Sequence, residues 1–122
     1  MEEQGGTFIV QILINNAVKL SFVVDSGAED VSIPEDVFKT LLRTKTISDV
    51  DILSPKFFQL ADCSTSFEKT FRIRILRVGD RELENVTASV PPETASLLLG
   101  QSFLTRFKSW SIDNERHVLL LN

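Results

Sequence analysis

The sequence predicts one all-β domain that carries two short helices. Short apolar segments recur along the chain, and turn signals such as Asn15-Asn16 and Gly79-Asp80 separate them. Regular short strands of this kind are typical of a β-barrel or a β-sandwich. The chain has 122 residues, of which 43% are hydrophobic, so its size and composition suit one globular domain with one core.

The first part of the chain predicts a hairpin followed by a helix. Asparagine tolerates left-handed backbone geometry, so Asn15-Asn16 is expected to form a two-residue turn. Pro34 suits the first turn of a helix. Further along the chain, Asp49 and Asp51 are expected to lie in a solvated loop. The predicted elements are strands over residues 7–14 and 17–24, an extended segment over 31–33, a helix over 34–43 and an irregular segment over 44–56.

The second part of the chain predicts further strands and a second helix. Alternation in the longest strand places Phe71 and Ile75 on one face and Leu76 on the opposite one. Phe103 and Phe107 are four residues apart, so both are expected to face the core from one side of a helix. The predicted elements are strands over residues 57–61, 67–78, 81–90, 97–99, 109–112 and 117–121, and a helix over 102–107.

One stretch places an acidic side chain at the end of an apolar strand. The strand that ends at Val24 continues directly into Asp25, Ser26 and Gly27. A carboxylate is costly to bury unless it is paired or hydrogen-bonded, and Gly27 permits a tight turn or a close approach of another backbone. Taken alone, the tripeptide is equally typical of an ordinary turn, because Asp, Ser and Gly are common turn residues.

A second motif far downstream changes this interpretation. The apolar segment Leu97-Leu98-Leu99-Gly100 is followed by Gln101-Ser102-Phe103-Leu104. The two motifs, in this order, resemble those of the retropepsin-like aspartic proteases, the single-domain retroviral type. The second motif, together with Ser111-Ile112-Asp113-Asn114, is more similar to bacterial members than to viral ones. The resemblance covers roughly residues 7–121 and implies a closed acid-protease-like β-barrel that is one lobe of a two-fold dimer.

The resemblance also implies how the site works. In aspartic proteases, two carboxylates about 3 Å apart share one proton, so that one acts as a base towards water while the other acts as an acid. This chain contains a single Asp-Ser-Gly motif, so two copies must each supply Asp25 at the axis of a homodimer. An extended peptide substrate would add a strand on each side of the cleft.

The resemblance assigns roles to residues of the first motif, the second motif and the flap. The implied roles are catalysis for Asp25, support of the active-site loop for Ser26, Gly27 and Ala28, packing of the second motif for Leu99 and Gly100, a place in the substrate cleft for Glu29, and a flap over the substrate for Leu60, Ala61, Asp62, Cys63 and Ser64.

Two positions depart from the family pattern. Viral relatives have an arginine at the place of Gln101, where it pairs with an acidic residue after the first motif, so Glu29 loses that partner. Arg106, one helical turn further on, is a candidate replacement. Many relatives have glycine at or near the tip of the flap, where this chain has Cys63. A plain surface hairpin therefore remains an alternative to a flap.

Composition limits the other classes of function. The formal net charge of −4 argues against a nucleic acid or an anionic membrane surface as partner. Cys63 is the single cysteine, so no intrachain disulfide forms, and with the single histidine, His117, it makes no plausible zinc site. We expect no metal and no cofactor. A Cys63–His117 nucleophile pair is conceivable, but no third residue supports it.

No apolar stretch is long enough to span a bilayer. The expected location is cytoplasmic by default, or periplasmic or membrane-tethered if the chain is an excised domain. Residues 1–6 are expected to be disordered or tag-like, and residues 7–122 to form the protease domain.

The sequence thus predicts an aspartic endopeptidase that hydrolyses peptide bonds with two copies of Asp25 at a homodimer axis. Its substrate would be an extended peptide or protein. A non-catalytic module that binds a peptide or a partner on the same fold is the alternative, because a fold does not determine a function. A purely structural β-domain is a third possibility.

Overall fold

The structure is a computed structural model, which describes residues 2–4, 7–59, 65–91 and 96–122. The elements of this part of the chain are strands β1 (Glu2–Gln4), β2 (Thr7–Ile14), β3 (Val18–Val24), β4 (Val31–Ser32), β5 (Ile52–Gln59), β6 (Thr65–Val78), β7 (Arg81–Val90), β8 (Leu98–Leu99), β9 (Trp110–Asp113) and β10 (Val118–Leu121), helices α1 (Glu35–Arg43) and α2 (Gln101–Leu104), and a 3₁₀ helix (Asp49–Asp51).

Pairing between strands closes most of the sheet into a barrel. The strand order is β1-β2-β3-β8-β4-β7-β6-β5, and β2 also pairs with β6. This extra pairing joins β2, β3, β8, β4, β7 and β6 into a ring, in which β8 runs parallel to β3 and β4 runs parallel to β7. Strands β9 and β10 form a separate antiparallel hairpin. The predicted closed all-β barrel with two helices is confirmed.

The predicted Asn15-Asn16 turn is confirmed, and it also helps to close the barrel. Both residues have left-handed backbones, with φ of 48° and 56°. Asn15 N donates to Ile75 O at 2.8 Å, Ile75 N donates to Asn15 Oδ1 at 2.9 Å, and Asn15 Nδ2 donates to Thr46 O at 2.8 Å. The turn therefore fixes where β6 meets β2, at the pair Ile14↔Leu76.

This contact explains why the predicted alternation of β6 is wrong beyond its middle. Phe71 and Leu76 are both fully buried, although the sequence placed them on opposite faces. The exposed Arg74 and the half-buried Ile75 separate the two buried runs, and Asn85 in the paired strand β7 has a left-handed φ of 55°. The core-facing side of β6 changes where the strand leaves β5 and joins β2.

Two other predictions need correction. The segment 44–56 is not irregular, because it contains the 3₁₀ helix and the start of β5; a bulge between Leu53 and Lys56 accommodates Pro55, which has no N–H for the ladder. Helix α2 ends at Leu104 instead of residue 107. Phe103 and Phe107 nevertheless pack edge to face, with ring centroids 5.3 Å apart.

Large apolar side chains from both ends of the chain fill the barrel. Phe22 of β3, Leu99 of β8 and Phe103 of α2 are each fully buried, and burying a side chain of this kind stabilises a fold by about 1.5–3 kcal/mol. The same three side chains hold the elements that carry the two sequence motifs. The core therefore sets the position of the loop that follows β3.

Asp51 is also buried, contrary to its expected place in a solvated loop. Arg72 Nη2 lies 3.1 Å from Asp51 Oδ1, Arg74 Nε lies 3.5 Å from the same oxygen, and Ser48 N donates to Oδ2 at 3.1 Å. Burial raises the pKa of Asp51, but the hydrogen bonds from Ser48 and Arg72 and the charges of both arginines outweigh this effect and hold the pKa below its ordinary value of 3.8.

We expect Asp51→Asn to lower the free energy of unfolding by about 2 kcal/mol at pH 7, because charge-assisted hydrogen bonds are lost. A carboxyl group whose pKa is lower in the folded state than in the unfolded state stabilises the fold at pH values above its unfolded pKa. This stabilisation disappears as the pH falls through the pKa of the folded state. The difference between the two proteins should therefore shrink below about pH 4. Urea unfolding at several pH values, at one chain concentration, measures it.

Asp49→Asn is the matched control, since it makes the same charge change at an exposed neighbour in the same 3₁₀ helix. Equal unfolding free energies for the two variants would show that the Asp51 contacts contribute nothing.

Strand β1 stands at one end of the strand order, beside β2. Strand β1 pairs antiparallel with β2 through Glu2↔Ile9, Glu3↔Phe8 and Gln4↔Thr7.

Neither α-helix in the described ranges is long and apolar enough to cross a membrane.

Candidate active site

Asp25 lies at the start of the loop that joins β3 to β4. Its backbone N donates to Leu99 O at 3.0 Å, and its carbonyl oxygen accepts from Ala28 N at 3.2 Å. Asp25 Oδ1 accepts from Gly27 N at 2.9 Å, while Oδ2 accepts no hydrogen bond from the residues that the structure describes. Asp25 is half-buried, and Ser26 and Gly27 are exposed. The loop thus presents one oriented carboxylate at the surface of the chain.

The second motif inserts between the two strands that flank this loop. Strand β8 pairs in parallel with β3, through Val23↔Leu98 and Val24↔Leu99, and antiparallel with β4, through Ser32↔Leu98. The insertion places Gly100 directly beneath the Asp25 loop. The two motifs are 75 residues apart in sequence at the contact between Ser26 and Gln101, and the barrel brings them together.

Gly100 occupies a place where no side chain fits. A Cβ atom built on Gly100 would lie 2.3 Å from Asp30 O and 2.7 Å from Ala28 O. Both atoms belong to the backbone of the loop, which cannot rotate away as a side chain could. The absence of a Cβ therefore permits the close packing of the two motifs.

The first turn of α2 is tied to the same loop by successive hydrogen bonds. Gln101 N donates to Ala28 O and Ser102 N donates to Glu29 O, both at 2.9 Å. Ser102 Oγ accepts from Val31 N at 2.9 Å and donates to Thr87 O at 2.8 Å. The sequence did not predict this bridging role of Ser102, because its only signal there is a hydroxyl residue beside two apolar ones.

Gln101 binds the loop with its side chain as well. Its Nε2 donates to Ser26 O at 2.7 Å. The suggested pair between Arg106 and Glu29 does not form, because Arg106 Nη2 donates to the carbonyl oxygens of Glu84 and Asn85. Glu29 is exposed, and no salt bridge joins it to another described residue. Its carboxylate is therefore accessible beside the loop.

The charge of one acidic residue in this loop, Asp30, affects the pKa of a second acidic residue, Glu68, and neither was singled out from the sequence. Asp30 is 4% exposed. Burial raises the pKa of Glu68 on β6, and the negative charge of Asp30 raises it further. No sequence signal distinguishes a buried acidic residue from an exposed one at these positions.

The predicted flap residues Leu60, Ala61, Asp62, Cys63 and Ser64 lie outside the residues that the structure describes. Strands β5 and β6, which flank them, are antiparallel up to the pair Gln59↔Thr65. His117, the other residue considered for nucleophilic catalysis, is exposed in the turn between β9 and β10.

The described residues also form a cavity away from this loop. A cavity of about 510 Å³ lies between β2, the β6–β7 turn and β10, and Val10, Val78, Arg81 and Leu119 are among its lining residues. No residue of either motif lines it. No group of three or more His, Cys, Asp or Glu residues within the described ranges is arranged to hold a metal ion.

Comparison with known proteins places these motifs in a wider context. A family model described as "gag-polyprotein putative aspartyl protease" matches residues 10–106. The fold is similar to the crystal structure of a retropepsin-like aspartic protease from Rickettsia conorii, with a TM-score of 0.73 and 25% sequence identity over 99% of this chain and 86% of that one. A search of curated proteins finds no match.

Proposed function

The chain belongs to the gag-type, retropepsin-like aspartyl protease family, and from this membership we propose that it is an aspartic endopeptidase active as a homodimer. One observation carries the proposal: the loop orients the carboxylate of Asp25, with Oδ1 bound to Gly27 N and Oδ2 available for chemistry. Each chain supplies one such group. The reaction needs two.

Peptide hydrolysis by carboxylates requires two protonation states at the same time. The ionised Asp25 of one copy takes a proton from the attacking water, and the protonated Asp25 of the other copy donates to the carbonyl oxygen of the peptide. As the tetrahedral intermediate collapses, the Asp25 that took the proton from water passes it to the leaving amine, and the other Asp25 recovers its proton from a hydroxyl group of the intermediate. Two-fold symmetry makes the carboxyl groups equivalent, so either copy can take either role.

The exposed part of the loop suits contact with a second copy. Ser26 and Gly27 are exposed in the single chain, beside the half-buried Asp25. A homodimer axis passing here would bring the two loops together, with each Ser26 hydroxyl available to brace the opposite loop. The substrate would lie extended across the axis, with Ala28 and Glu29 lining its cleft and the segment 60–64 covering it.

Dimerisation and activity should therefore depend on concentration in the same way. We expect sedimentation analysis to show monomers at low concentration and dimers at high concentration, and cleavage of a peptide library per mole of chain to follow the dimer fraction. The physical reason is that a monomer contains half of the acid–base pair. Below the dissociation constant, the rate should increase with about the square of chain concentration.

Constant cleavage per mole of chain, in a sample that stays monomeric throughout, would contradict the shared site. Saturable peptide binding by the dimer without any cleavage would instead favour the non-catalytic binding module.

A further inference from the structure

A single peptide group connects Gln101 to the carboxylate of Asp25. Gln101 Nε2 donates to Ser26 O at 2.7 Å, and Gly27 N, in the same peptide group, donates to Asp25 Oδ1 at 2.9 Å. A trans peptide is planar, so its C=O and N–H point in opposite directions and turn together. Rotation of this peptide would break both hydrogen bonds at once.

We propose that Gln101 is a positioning residue for the reaction, and that it orients Asp25 through the Ser26–Gly27 peptide. The inference rests on the proposed protease function. Gln101 does not touch the reacting atoms. It holds the peptide whose N–H fixes one oxygen of the carboxylate, and thereby directs the other oxygen towards the dimer axis.

The other ties of the loop do not act on this peptide. Leu99 O accepts from Asp25 N, Gln101 N donates to Ala28 O, and Ser102 N donates to Glu29 O. These bonds hold the peptides before and after the one between Ser26 and Gly27. Among the described residues, the Gln101 side chain is the group that holds the Ser26 carbonyl.

The side chain of Gln101 acts on this peptide by hydrogen bonding alone. The amide of Gln101 orients the peptide without adding a charge. It also polarises the peptide, since a hydrogen bond accepted at C=O strengthens the donor N–H of the same group.

Two substitutions separate this role from general support of the fold. Gln101→Leu removes the donor at every pH. Gln101→Glu retains the shape, and its carboxyl group can donate to Ser26 O only when it is protonated. We expect Gln101→Leu to lower kcat about 10-fold and to leave KM within about twofold of the native value. The reason is the loss of one hydrogen bond that acts on the catalytic group.

The pH profile of Gln101→Glu is the decisive measurement. The charged groups on the elements around this side chain are the carboxyl groups of Asp25, Glu29, Asp30 and Glu84, with the Arg106 guanidinium bound to the backbone of β7. Excess negative charge raises the pKa of the introduced carboxyl. The ratio of the kcat of Gln101→Glu to the kcat of the native enzyme should be near one at pH 4. The ratio should fall about 10-fold by pH 7, where the ionised carboxylate at position 101 repels the carbonyl oxygen of Ser26.

Gln11→Glu is the matched control. Gln11 lies on β2, where its Nε2 donates to Ser21 Oγ at 2.9 Å, and the substitution adds the same charge away from the loop. The ratio of the kcat of Gln11→Glu to the kcat of the native enzyme should not change with pH. A flat ratio for Gln101→Glu as well, or native kcat in Gln101→Leu, would overturn the proposal.

A second readout is independent of catalysis. The amide proton of Gly27 should shift upfield in Gln101→Leu, as its bond to Asp25 Oδ1 lengthens, in protein whose other amide signals are retained. An unchanged Gly27 signal would overturn the positioning role whether or not the native chain cleaves peptides. Failure of the native chain alone to cleave would instead count against the proposed function, so the two results are distinguishable.

Discussion

Asp25→Asn is expected to reduce peptide cleavage by at least about 10³-fold, because the substitution removes a group that must both accept and donate a proton. The fold and the dimer should persist. Asparagine has nearly the same shape, and its Oδ1 can still accept from Gly27 N, as Asp25 Oδ1 does at 2.9 Å. Peptide cleavage, thermal unfolding and sedimentation of the variant together measure these expectations.

Mixing the two proteins tests whether the carboxylates come from different chains. When equal amounts of native and Asp25→Asn chains pair at random, about a quarter of the dimers contain two native chains. Activity should therefore fall to about a quarter of that of native dimer at the same total concentration. A fall to half would mean that each chain acts alone, and native activity in the pure variant would remove Asp25 from the mechanism.

Gly100→Ala should be the most destabilising change of a single small residue in the loop region. Its Cβ would lie 2.3 Å from Asp30 O and 2.7 Å from Ala28 O, so the backbone of β8 or of the loop has to move. Overpacking against a backbone of this kind costs about 3 kcal/mol or more. The melting temperature should fall by about 10 °C or more, with loss of activity, because the same shift displaces Asp25.

Gly79→Ala provides the matched control for that prediction. Gly79 lies in the β6–β7 turn with a left-handed φ of 58°, and a Cβ there would meet nothing within 4 Å. The cost should be about 1 kcal/mol, the conformational strain of a left-handed non-glycine residue. A melting temperature for Gly100→Ala equal to that of Gly79→Ala would show that the loop relaxes without cost.

Local patterns account for the parts of the fold that the sequence predicted. The Asn15-Asn16 turn follows from the tolerance of asparagine for left-handed geometry, and it sets the register that ends β3 next to Asp25. Helix α1 begins directly after Pro34, with acidic residues in its first turn and Arg43 in its last. Each of these signals involves residues close together in the chain.

Contacts between distant residues account for the predictions that were wrong. Asp51 was expected in a solvated loop, but it pairs with Arg72, which is 21 residues away and lies on β6. No sequence signal links these two residues. The core-facing side of β6 changes where it meets β2 at Ile14 and Leu76. Alternation within a single strand contains no information about that contact.

The strands, the hairpin and the identity of the acidic residue after β3 followed from the order of residues along the chain, because strand periodicity and turn chemistry are local properties. The family and the closed barrel followed from the resemblance of the two motifs to a known family. The arrangement of the loop required the folded barrel. Ser102 reaches Val31 across 71 residues, and Gln101 reaches Ser26 across 75. Closure of the barrel decides which of the chain's polar groups meet, and hydrogen bonds of about 3 Å form only between groups that it places within reach.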